Sequence, residues 1–309
     1  MMTRREMLAL LGTVSAGSIF PNTRNGLTGS IGRFADISSE SALQGDSIPR
    51  LAPGAPSSPE RTALIDAFKR KSEGIDQQFE ARSHTAEWTM PYRLFRSKAN
   101  GALPLVVFLH GSGGLGTDNV KQMGLGNVFG TRVWALPENQ ERFPCHVVVP
   151  QTDRGWIRYA DPAPGDSVAV PVPGLGDGAR LAFGVIDALS RELSIDERRI
   201  YLTGQSMGGA GVWHMLGQRP KFFAAAAACC GSPSRDDPAV VARRPLWNFH
   251  GDVDRTVPVK VSRDRIAAMK HAGGHPIATE YAGVGHNVWE WAYTEPELVR
   301  WVFANRLRP

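Results

Sequence analysis

The chain has 309 residues, 42 % hydrophobic and 21 % charged, a balance that excludes fibrous, collagen-like and wholly disordered proteins. Thirty-five Lys and Arg against 30 Asp and Glu leave a net charge of +5. The positives are scattered without a run of five or six, so no nucleic-acid partner is expected. Three cysteines, Cys145, Cys229 and Cys230, cannot build a disulfide framework, and the adjacent pair is expected as a dithiol.

In chain order, residues 1–21 have the parts of an export signal: Arg4 and Arg5, then an apolar stretch from Leu8 to Phe20 ending in small residues. The paired arginines resemble a twin-arginine signal, so a periplasmic or extracellular location is expected. Gly, Ser and Thr interrupt the apolar stretch, which argues against an integral membrane anchor. Residues 22–57, rich in Gly, Ser, Pro and Asn, read as a flexible linker. Ser57-Ser58-Pro59-Glu60 is a helix start, and Leu64, Ile65, Phe68, Ile75 and Phe79 recur at roughly helical spacing, so residues 58–84 are expected as an N-terminal helical segment.

Residues 85–309 read as one domain. Glu87 to Ser97 suggests an edge strand or hairpin, and Leu103 to Leu109 (LPLVVFL) a strand buried on both faces. Further strands are expected at Cys145–Val149, Ile200–Thr203, Ala224–Cys230, Leu246–Phe249 and Ile277–Tyr281. Helices are expected at Asp177–Leu193, Gly209–Gln218, Lys260–His271 and Glu297–Leu307. Strand then helix, repeated, means an α/β fold with a mostly parallel central sheet flanked by helices. The Pro- and Gly-rich stretch from Arg154 to Gly178 is long for a connection and reads as a functional rim rather than a large cap domain.

Gly204-Gln205-Ser206-Met207-Gly208-Gly209 places G-x-S-x-G between a strand and a helix. Glycines allow a tight turn there, which lifts one hydroxyl out of the sheet and sets it at a helix N-terminus, where N–H groups face developing negative charge. A serine needs a base, and the base a carboxylate. The strand at Leu246–Phe249 ends in His250-Gly251-Asp252-Val253-Asp254, and the last strand is followed by Gly283-Val284-Gly285-His286. Both lie at strand C-termini, on the serine's edge of the sheet. Spacing alone leaves Asp252 and Asp254 open as the carboxylate. His250, Asp252 and Asp254 also lack the further ligands that would close a metal shell, so no metal is expected.

Together with His110-Gly111-Ser112-Gly113-Gly114, these motifs make the chain from about Trp88 onward resemble the α/β-hydrolase superfamily. The resemblance is to serine esterases of the feruloyl, acetylxylan, polyhydroxybutyrate depolymerase-like and predicted-peptidase group. It implies the second aspartate of H-G-D-x-D, Asp254, as the triad carboxylate beside Ser206 and His286. It also implies an oxyanion hole from the N–H of Met207 and one from the loop after the first buried strand, with Gly111 and Ser112 as candidates. His110 is expected to hold that loop in place. Trp156 and Tyr159 in the long loop, with Gln205 and Trp289, are candidate substrate-binding residues, the two loop aromatics for stacking on a sugar or phenolic ring. The expected activity is hydrolysis of a small-molecule or polymeric carboxylic ester with no cofactor. A serine peptidase of the same fold, or a catalytically silent carbohydrate-binding relative, are the alternatives. Nothing in the sequence sets the oligomeric state.

Overall fold

The computed structural model describes residues 59–159, 171–233 and 237–308; the expected export signal and linker lie outside them. Its strands are β1 (Phe79–Thr85), β2 (Thr89–Phe95), β3 (Leu103–Leu109), β4 (His146–Pro150), β5 (Ile157–Tyr159), β6 (Pro171–Leu175), β7 (Ile195–Gln205), β8 (Ala225–Cys229), β9 (Leu246–Gly251) and β10 (Ile277–Tyr281). The longer helices are α1 (Pro59–Lys71), α2 (Asp177–Glu192), α3 (Met207–Gln218), α4 (Val259–His271) and α5 (Pro296–Ala304).

Eight strands form one sheet in the order β1-β2-β4-β3-β7-β8-β9-β10. From β4 to β10 every neighbouring pair is parallel. Only β2 runs the other way, antiparallel to β1 and β4. The expected α/β-hydrolase architecture is therefore present. β5 and β6 pair antiparallel outside the main sheet, so the long connection carries a small hairpin.

The pattern of β3 shows why this sheet is buried on both sides. All seven residues are buried. Leu105, Val107 and Leu109 pack with Leu181 and Ile186 of α2 and Val212 and Leu216 of α3. Val106 and Phe108, facing the other way, pack with Ile65 and Phe68 of α1 and Leu298 and Trp301 of α5. Each such side chain stabilises the fold by roughly 1.5–3 kcal/mol relative to exposure. Among the described residues no helix is long and apolar enough to cross a membrane.

The helical reading of residues 58–84 is corrected. α1 stops at Lys71, Gly74 takes φ 74°, and after a short 3-10 turn Phe79 opens β1. Phe79 pairs with Phe95 of β2, the two rings 5.6 Å apart. Ile75 and Phe79 are buried, but by a turn and an edge strand rather than by a continuing helix. Their helical spacing from Phe68 is coincidental.

Candidate active site

β7 ends at Gln205 and α3 begins at Met207, which leaves Ser206 alone to turn the chain. Its φ of 53° and ψ of −118° lie where residues with a Cβ rarely sit. The Ser206 N–H donates to Cys229 O at 2.8 Å, and the Ala210 N–H donates to Ser206 O at 2.9 Å, so the neighbouring strand and helix hold the strain. A Cβ at Gly208 would fall 1.9 Å from Leu109 O, so glycine is what lets α3 start against the end of β3.

The Ser206 hydroxyl donates to His286 Nε2 at 2.8 Å, and His286 Nδ1–H donates to Asp254 Oδ2 at 2.7 Å. The other Asp254 oxygen accepts from the N–H groups of Thr256 and Val257 at 2.8 and 2.9 Å. Burial pushes the Asp254 pKa up, but hydrogen bonds from His250, His286 and the Val257 N–H outweigh it and hold the carboxyl well below the usual range. Asp254 thus remains an anion with its side chain fully buried, aimed at the imidazole. Asp252 instead accepts from the Gly283 N–H at 2.6 Å, tying the loops after β9 and β10 together. The choice between the two aspartates that spacing left open falls on Asp254.

His110 holds the loop after β3 by hydrogen bonds, as expected. The Thr152 N–H donates to its Nε2 at 3.2 Å, so Nδ1 carries the hydrogen and donates to Gly111 O at 2.8 Å. Burial lowers its pKa to about 4. The candidacy of Gly111 as oxyanion donor is corrected, because its N–H donates to the buried Asn127 Oδ1 at 3.0 Å. Gly111 packs beside Ser206, a Cβ there lying 3.5 Å from Ser206 Cβ. The N–H groups of Ser112 and Met207 have no acceptor among the described residues, so these two are the available pair.

Trp156 is the second correction. It is fully buried, its Nε1–H donates to His110 O at 3.0 Å, and its ring meets the His110 ring edge-on at 4.9 Å. An indole whose polar edge is consumed inside the protein cannot stack on a substrate; it props the loop. Tyr159 lies on β5, paired with Pro171. Gln205 is buried, its Cγ 3.7 Å from a Cβ at Gly111. Trp289 does reach the site: its half-buried ring stands edge-on to His286 at 5.5 Å.

Three residues here have partners that the sequence does not show. Asn127 fixes Gly111 from a separate short helix, Asn127–Arg132. His250 is fully buried, bonded through Nδ1 to the Ser262 hydroxyl and through Nε2–H to Val257 O, with Asp254 Oδ2 at 3.4 Å. Cys230 donates its thiol to His286 O at 3.4 Å. Cys230, Asp254 and His286 are the one group with ligand atoms close enough for a metal among the described residues, within 4.8 Å, but the last two are engaged with each other. All three cysteines are buried and free, and burial pushes the Cys145 thiol up to about 12.

A sequence model of the prolyl oligopeptidase family matches residues 182–236, which carry the serine turn. A bifunctional acetylxylan esterase/xylanase of Neocallimastix patriciarum is 34 % identical over 70 residues, 23 % of this chain and 10 % of that protein. Among solved structures, a thermostable esterase superposes with a TM-score of 0.68 at 34 % identity, over 75 % of this chain and 64 % of that one. A ferulic acid esterase shares the fold at 17 % identity, with a TM-score of 0.53 over 73 % of this chain and 98 % of that one. The chain thus spans about a tenth of the curated relative and under two thirds of the thermostable esterase. With the sheet order, the serine turn and these likenesses in agreement, the chain has the α/β-hydrolase fold.

Proposed function

We propose that the protein is a carboxylic ester hydrolase working through an acyl-enzyme. The observation that carries this is the unbroken hydrogen-bond chain from Ser206 through His286 to Asp254 at a strained strand-to-helix turn. Ser206 Oγ bonds to the acyl carbon as its proton passes to His286 Nε2. The negative oxygen is held by the N–H groups of Met207 and Ser112, and the alcohol leaves with the proton from His286. A water molecule then gives a proton to His286 and attacks the acyl carbon, releasing the acid and restoring Ser206. Asp254 fixes the imidazole and stabilises its charged form throughout.

The ester preference is supported by the likeness to a thermostable esterase at 34 % identity. We propose further that the ester is borne on a polysaccharide or similar polymer, a reading supported by the acetylxylan esterase relative. The matching prolyl oligopeptidase model keeps peptide cleavage as the second reading. Assay of acetyl, feruloyl and hydroxybutyryl esters beside peptide amides, with Ser206→Ala as control, tests both. Ester turnover abolished in Ser206→Ala is expected; peptide turnover alone would replace the first reading by the second. Export is likewise proposed from Arg4, Arg5 and the apolar stretch after them. Retention of the full-length chain in the cytoplasm of its own cells would overturn it.

A further inference from the structure

Leu125 is the most exposed large apolar residue among those described, at 78 %. A single exposed leucine is ordinary on a protein surface. This one also has a φ of 50°, a left-handed backbone that a leucine seldom adopts. Strain of that kind persists only where the surroundings enforce it, which makes it a reason to ask what the residue does.

Its neighbours supply the answer. The Leu125 Cδ1 lies 3.3 Å from where a Cβ of Gly113 would stand, so the side chain rests on the loop that carries Ser112. The next residue, Gly126, has its open side against Trp289: a Cβ there would fall 2.6 Å from the indole Nε1. Trp289 in turn stands edge-on to His286 at 5.5 Å. Taken in sequence, His286, Trp289, Gly126, Leu125, Gly113 and Ser112 form a continuous arc from the base to the oxyanion donor. The arc is apolar at its centre and open to solvent at Leu125.

The chemistry fixes which part of an ester meets this arc. To be expelled, the leaving oxygen must take its proton from His286 Nε2, so the alcohol sits beside His286, whose ring Trp289 meets edge-on. We propose that Leu125 and Trp289 form the leaving-group subsite, and that it takes a ring-shaped alcohol, whose flat apolar face suits an indole and a leucine better than a thin alkyl chain does. Phenols and pyranoses share that shape. This rests on the esterase reading above and adds to it the side of the substrate being read. Leu125 and Trp289 are specificity-determining, with no part in moving protons.

The test uses three acetates that differ only in the alcohol: phenyl acetate, an acetylated methyl xyloside and ethyl acetate. Leu125→Ser should lower kcat/KM for at least one ring alcohol about tenfold more than for ethyl acetate, with the loss chiefly in KM. Whether the phenyl or the xyloside ester falls further distinguishes the two sources of the ring. Val240→Ser, an exposed valine on the separate helix Pro238–Ala242, should leave the ratios unchanged. A fall equal for all three acetates would overturn the subsite while leaving the esterase reading intact. So would a loss that follows acyl length in a series of phenyl esters. A wild-type protein that labels with a fluorophosphonate but cleaves neither these acetates nor feruloyl or hydroxybutyryl esters would overturn both.

Discussion

The loops after β3 and after β10 each place a histidine at the same edge of one sheet, and only one of the two is placed to act as a base. His110 is fully buried, with both ring nitrogens bonded to backbone groups, the Gly111 carbonyl and the Thr152 N–H. The His286 side chain is 21 % exposed, with one nitrogen on a serine hydroxyl and the other on a buried carboxylate. Topology brings both to the site. Partners lock one in the loop after β3 and leave the other placed to move protons.

The largest effect that would sharpen this contrast is on the serine. Ser206→Ala should lower kcat for an activated ester by about 10⁵-fold, since a triad acts as a unit; substantial residual turnover would break the assignment. Asp254→Asn should cost about 10³–10⁴-fold in kcat, whereas Asp252→Asn, which loses a loop contact, should cost less than about tenfold. Equal losses would break the choice between them.

On the other side of the comparison, Asn127→Leu should lower kcat about 10–100-fold with little change in KM, because it frees the Gly111 N–H and with it the loop. It should also cost about 1–3 kcal/mol of stability, measurable by urea unfolding, for the buried donor left unpaired. The acid behaviour of His110 follows from its pKa of about 4 against an ordinary 6.5. Below pH 6.5 the unfolded chain binds a proton that the folded one refuses, so this contribution to stability is full above 6.5. It declines by up to about 3 kcal/mol as pH falls toward 4. Ring carbon shifts assigned to His110 should remain those of a neutral imidazole at pH 5; a midpoint near 6.5 would contradict its burial. The smallest effect concerns Trp156→Phe, which should cost about 1 kcal/mol and leave KM for a polymeric ester within about twofold. A large rise in KM would restore Trp156 to the substrate.

These contrasts mark how far the sequence is legible. The strand β3 can be read because seven consecutive apolar residues leave few other folds for them. Ser206 and His286 can be read because short motifs tie them to strand ends. β1 is not legible, since Phe79 happens to continue the spacing of α1 and only its pairing with Phe95, in another strand, shows otherwise. Nor can the fate of the Gly111 N–H be seen, because its acceptor on Asn127 is brought there by tertiary packing. Trp156 misleads for a related reason. Its Pro- and Gly-rich surroundings have the composition of an exposed rim, yet its indole N–H finds a carbonyl inside.

The backbone angle of Ser206 has a consequence for how this chain can change over time. Among the described residues four besides glycine have positive φ: Asn119, Leu125, Ser206 and Cys230. All lie in connections leaving the C-terminal ends of β3, β7 and β8. At 206, glycine would relax the turn and abolish the nucleophile, so Ser206→Gly should be at least as stable as the wild type and inactive. If the chain hydrolyses esters as proposed, a lineage released from that selection has a downhill route at this position: it can keep the fold, lose the activity and become a binding protein on the same sheet.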